Sequence, residues 1–63
     1  MKKYSVYELK PGNIYKYSTN LVFYLISIKK LAVYSDYYEV LYCCKEGIRK
    51  DVWKDVKCFQ KIT

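Results

Sequence analysis

The stretch that most limits the fold is Leu21-Val22-Phe23-Tyr24-Leu25-Ile26-Ser27-Ile28. Aliphatic, β-branched and aromatic side chains dominate it, and no charge enters before Lys29. A transmembrane helix takes about 20 residues, so the run is too short to span a bilayer that way. Its residue types predict a β-strand. Being apolar on both faces, it belongs in the centre of a sheet or under a second cover. Left unpaired it would be prone to aggregate, and Lys29-Lys30 read as the charges that end and guard it.

Other short strands surround it in sequence. Ile14-Tyr15-Lys16-Tyr17-Ser18 alternates and is rich in β-formers, and Ser18-Thr19-Asn20 is a turn cluster. Leu31 to Asp36 reads as a connection with its turn at Ser35-Asp36. Tyr37 to Cys44 is a third strand. Glu39 marks its odd-numbered face as the wetter one, which turns Tyr38, Val40, Tyr42 and Cys44 inward. Lys45-Glu46-Gly47 is a tight turn with Gly47 at a positive φ. Ile48 to Asp51 predicts a short fourth strand. Asp51 to Val56 reads as a single helical or 3₁₀ turn capped by Asp51, and Lys57 to Ile62 as a fifth strand.

Ahead of these strands, Ser5 followed three residues later by Glu8 fits a capping box, so a helical turn is expected over Ser5 to Leu9. Lys10-Pro11-Gly12-Asn13 then predicts a type II turn. Proline presets φ at its first central position, and glycine accepts the positive φ of the second.

A chain of 63 residues allows one domain, spanning residues 1–63. Such a domain buries only about 60% of its unfolded surface, so its stability margin is thin. Cysteine offers no framework of staples. Cys43, Cys44 and Cys58 are odd in number, and adjacent Cys43 and Cys44 on a strand point to opposite faces. Three thiols without histidine do not make the usual four-ligand zinc set. Small hydrophobes in a reducing compartment are the expectation, and a Cys44–Cys58 bridge is the alternative. The basic start Met1-Lys2-Lys3 has no apolar stretch behind it, so no secretory signal and a cytoplasmic location, including that of a host cell, are expected.

The order of these elements resembles small SH3-like β-barrel proteins of the phage-encoded type. The residues that carry the resemblance are Leu9-Lys10-Pro11-Gly12-Asn13-Ile14-Tyr15, Tyr38-Glu39-Val40-Leu41-Tyr42, Lys45-Glu46-Gly47-Ile48, Val52-Trp53 and Val56-Lys57-Cys58-Phe59. It covers residues 9 to 62. It implies an all-β fold: a small barrel of about five strands with a helical turn near the N-terminus and a one-turn helix before the last strand. Peptide-binding members of the wider fold carry an acidic first loop, whereas here that loop holds Lys10 and Lys16.

Catalysis is not expected. The chain has no histidine, no glycine-rich phosphate loop and no paired-carboxylate motif. Asp51 and Asp55 read as a cap and a solvated charge, and a cysteine nucleophile would lack the usual base. No cofactor or metal is implied. Charge is the stronger signal: the formal net charge is +6, and residues 1 to 34 hold six lysines against Glu8 alone. Phosphate backbones attract such charge and aromatic faces stack on bases. Lys10, Tyr15, Lys16, Tyr17, Lys29 and Lys30 are therefore the candidate contacts for nucleic acid or an acidic protein surface. Arg49 is the lone arginine, so any base reading would be weakly specific. Trp53 reads as a lid on the core. The competing expectation is a protein-interaction or self-associating module, such as a small viral accessory protein or host-enzyme inhibitor. Nine tyrosines exceed what one small core buries easily, and exposed aromatic patches mark interfaces.

Overall fold

The computed structural model describes residues 2–62. Six antiparallel strands make one open sheet: β1 (Tyr4–Ser5), β2 (Ile14–Lys16), β3 (Val22–Lys30), β4 (Tyr37–Cys44), β5 (Gly47–Lys54) and β6 (Lys57–Lys61). Their spatial order is β1-β6-β2-β3-β4-β5. A single 3₁₀ turn, Val6–Glu8, lies between β1 and β2. The protein is thus mainly β, as its alternation and β-branched content imply.

β3 takes the internal place its apolar character demands, between β2 and β4. Its register on β4 shifts between Leu25 and Ser27, leaving Ile26 without a partner. That bulge resets the alternation. Phe23 and Leu25 are buried before it, and after it Ile28 packs on the core. A bulge also bends its strand and increases local twist. The sheet curls accordingly, and its inner face holds the whole buried core: Val6, Leu9, Tyr15, Phe23, Leu25, Val40, Tyr42 and Phe59. Tyr38 and Cys44 pack against this cluster, as the placement of Glu39 on the opposite face requires.

Trp53 shows how far the curl goes. It belongs to β5, at one end of the strand order, yet its ring lies 5.4 Å from Phe59 of β6 and 6.1 Å from Tyr17. It also meets Phe23 at 5.2 Å and Tyr42 at 5.1 Å. Trp53 therefore lids the core by joining the two flanks of the sheet through side chains. No backbone pairing joins β5 to β1 among the described residues.

Two expectations need correction. The strands number six among the described residues, because Tyr4–Ser5 adds a short strand on β6. The helical turn expected over Asp51 to Val56 does not form. β5 runs without a register shift from Gly47 to Lys54 against Cys44 to Tyr37. The physical reason is the hairpin: a two-residue turn sets a ladder that each further residue extends, outweighing a local cap signal. Asp51 does not cap a helix; its carboxylate accepts the Tyr42 hydroxyl.

The turn signals hold closely. Gly12 and Gly47 have φ of +92° and +110°. The Ser5–Glu8 motif forms as one carboxylate oxygen accepting both the Ser5 amide, at 2.9 Å, and its hydroxyl, at 2.8 Å. All three cysteines are free.

Candidate interaction face

The six residues singled out from charge and aromaticity do not gather in one place. Tyr15 is 1% exposed. Its hydroxyl accepts the Lys10 amide at 2.9 Å and faces the Asn13 side-chain amide at 3.3 Å. It is a core residue that ties down the Pro-Gly loop, and a partner at the surface has no access to its ring. Tyr17 shares that inward face and is half-buried, its ring 4.9 Å from Phe59 and stacked on Trp53. Cys58 beside it raises the Tyr17 pKa, chiefly through electrostatic repulsion of the phenolate, and burial and a hydrogen bond add to this.

The lysines are dispersed by register. Lys16 lies across from Val22, at the start of β3, whereas Lys29 and Lys30 end that strand. The seven steps from Val22 to Lys29 span roughly 23 Å at about 3.3 Å each. Lys29 stands opposite Glu39 and Lys30 opposite Tyr38, on alternate faces. Lys10 is exposed on the loop beside the Tyr15 hydroxyl. Exposed tyrosines are scattered too: Tyr7 on the 3₁₀ turn, Tyr24 in β3, Tyr34 in the β3–β4 connection and Tyr37 at the start of β4.

What register does bring together is apolar. Ile14 pairs with Tyr24, Tyr24 with Cys43, and Cys43 with Ile48. The Ile62 amide donates to the Ile14 carbonyl at 2.8 Å, adding Ile62 to the row. Cross-strand partners share a face, so this is a continuous apolar row five chain segments wide on the side away from the core. Tyr24, Ile48 and Ile62 are 46%, 69% and 51% exposed. Val22 flanks the row on one side, and Leu41 and Val52 extend the same face on the other.

The polar residues of this face are mostly cationic. Lys16, Lys29, Lys50 and Lys54 occupy its outward positions by pairing with Val22, Glu39, Leu41 and Tyr37. Its acid, Glu39, meets Lys50 at 3.5 Å in a largely exposed pair worth little to stability. At one end a cleft of about 540 Å³ is lined by Thr19, Asn20, Leu21, Val22 and Lys45. Asn20 shapes this end by taking a left-handed φ of +69°, a conformation its short side chain tolerates.

No cluster of three potential metal ligands occurs among the described residues. No described helix is long and apolar enough to cross a membrane. The chain matches no protein-family model, no curated protein and no solved structure.

The sequence carried one signal for this face. A strand apolar on both sides is expected in the centre of a sheet or under a second cover. β3 is internal, but its outer side chains Val22 and Tyr24 are open to solvent. The isolated hydrophobes Ile48 and Val52 gave no signal by themselves, because only pairing places them beside β3 and β4.

Proposed function

We propose that this chain is a non-catalytic protein-binding module whose outer sheet face docks on an apolar partner surface bordered by carboxylates. The observation that carries the reading is the apolar row Ile62-Ile14-Tyr24-Cys43-Ile48 on the side of the sheet away from the core, with Ile62, Tyr24 and Ile48 exposed and Ile14 and Cys43 half-buried between them. A contiguous apolar patch with a polar border is what a protein interface presents. The surrounding lysines favour an acidic partner and hasten encounter with it. The Pro-Gly opening loop and the curl that carries Trp53 to Phe59 support treating the sheet as a small SH3-like barrel of the phage-encoded type. A viral accessory protein or host-enzyme inhibitor acting in the cytoplasm fits this set of features.

Nucleic acid is the competing partner class, favoured by the net charge of +6. A titration with DNA and RNA oligonucleotides at two salt concentrations separates the two. Contact with five phosphates would give a log–log salt slope of roughly −3 to −5, and such a slope with saturable binding would displace the protein-binding reading. A photo-crosslinking residue at Tyr24, used in cells, gives the positive test. A protein captured there, whose binding in purified form weakens on Val22→Lys, supports the reading. Capture that is insensitive to Val22→Lys and equally strong from Tyr34 counts against it.

A further inference from the structure

β5 is the last strand in the sheet, and nothing among the described residues pairs with its far side. Such an edge is a template for another strand unless it is shortened, bulged, broken by proline or guarded by unmatched charge. β5 is eight residues long, keeps one register on β4 throughout and holds no proline, and its charges are of both signs, so a second strand can match them.

The ladder fixes which groups the edge offers. The pair Cys44–Gly47 closes a two-residue turn, so it must be a hydrogen-bonded pair, and every second pair after it is bonded likewise. The bond from the Asp55 amide to the Asp36 carbonyl, 2.7 Å, falls in the same phase. Gly47, Arg49, Asp51 and Trp53 therefore bond to β4. Ile48, Lys50, Val52 and Lys54 turn their N–H and C=O groups outward.

We infer that this edge pairs, antiparallel, with β5 of a second copy of the chain, about a two-fold axis at Lys50. The outward parity demands that even-numbered residues oppose one another, and this register does so: Ile48 faces Val52 of the second copy, and Lys50 faces Lys50. Its side chains also match. Arg49 opposes Asp51 of the second copy, and Glu46 opposes Lys54, each occurring twice by symmetry. Ile48 and Val52, 69% and 54% exposed, cover each other. The two Lys50 side chains meet at the axis, and each already has Glu39 of its own sheet 3.5 Å away. The next register with the same parity, centred on Asp51, instead sets Asp51 against Asp51 and Lys54 against Ile48. Charge selects between them. The segment Glu46 to Lys54 carries three cations and two acids, so the large net charge of the chain is not concentrated on this edge.

Sedimentation velocity of the full chain from micromolar to millimolar concentration tests the inference. A monomer–dimer equilibrium is expected. Val52→Pro removes an outward N–H that the monomer does not use, which an edge strand tolerates. It should leave the circular dichroism and Trp53 fluorescence of the monomer in place and abolish the dimer. Glu46→Lys and Lys54→Glu should each weaken dimerisation about tenfold, since symmetry removes two cross-strand pairs at once. The double variant should restore it. These charge variants keep the test decisive if Val52→Pro does not fold. A chain that stays monomeric at millimolar concentration overturns the inference. So does a dimer that all these changes leave intact, because it would use another surface. Tyr24→Ser, aimed at the docking face, should leave the dimer unchanged, so the two proposals fail separately.

Discussion

The Tyr42 hydroxyl donates to the Asp51 carboxylate across the β4–β5 hairpin. The two residues are diagonal neighbours on the inner face, since Tyr42 stands opposite Arg49 and Asp51 opposite Val40. The bond lets a nearly buried tyrosine keep its hydroxyl satisfied, and it holds Asp51 in the strand where its sequence context suggests a helix cap.

That pair gives the protein an alkaline limit. Burial, the hydrogen bond to Asp51 and the charge of Asp51 push the Tyr42 pKa from 10.0 up to about 12. The folded state thus favours the neutral phenol. Its contribution is complete below pH 10.0 and is lost as pH rises toward about 12. Tyr42→Phe should destabilise the protein by about 1–3 kcal/mol at neutral pH, because Asp51 loses a partner. It should also flatten the loss of stability between those two pH values, read by denaturant titration at a series of alkaline pH values.

Acid acts at the other end of the chain. The Ser5 amide and hydroxyl hold the Glu8 carboxyl below its ordinary 4.5, with Lys2 and Lys57 assisting. This contribution is present above pH 4.5 and disappears as pH falls through the lower, folded value. Glu8→Gln should remove that acid dependence and leave the alkaline limit unchanged. Comparing acid unfolding midpoints by circular dichroism checks it.

Trp53 is the most consequential single side chain. Four aromatic rings, Tyr17, Phe23, Tyr42 and Phe59, lie within 6.1 Å of its own. Trp53→Ala should cost about 3 kcal/mol or more. In a domain of this size that is a large part of total stability, about 0.05–0.15 kcal/mol per residue. Chemical denaturation followed by far-ultraviolet circular dichroism should show a marginal or unfolded variant. Trp53→Phe should recover most of the loss.

Gly12 and Gly47 isolate backbone strain from packing. A Cβ at either position meets nothing within 4 Å, yet both have positive φ. Alanine at either site should therefore cost about 1–2 kcal/mol through conformation alone. D-Alanine introduced by synthesis, which prefers positive φ, should cost little. Thermal melts of the four peptides distinguish these outcomes.

Local chemistry made much of the fold legible. Pro11-Gly12 and Lys45-Glu46-Gly47 punctuate the chain because positive φ is a property of glycine itself. Glu39 oriented β4 because alternation has a period of two. The strand character of β3 followed from its side chains. The single helical turn expected before the last strand does not form, although Asp51 is a good cap in isolation. Its strand conformation comes from Tyr38, Val40 and Tyr42 across the hairpin, and no local signal encodes that partnership.

The functional surface divides the same way. The sequence by itself determined that the chain is basic, β-forming and without histidine, since these depend on composition and near neighbours. It could not place Tyr15 in the core or separate Lys16 from Lys29 and Lys30. Nor could it align Ile14, Tyr24, Cys43 and Ile48 into one row. Those outcomes are set by register between strands distant in sequence, where a shift of one residue would send every side chain to the opposite face. Only the tertiary structure fixes that register, through the bulge at Ile26 and the burial of Phe23, Leu25 and Phe59.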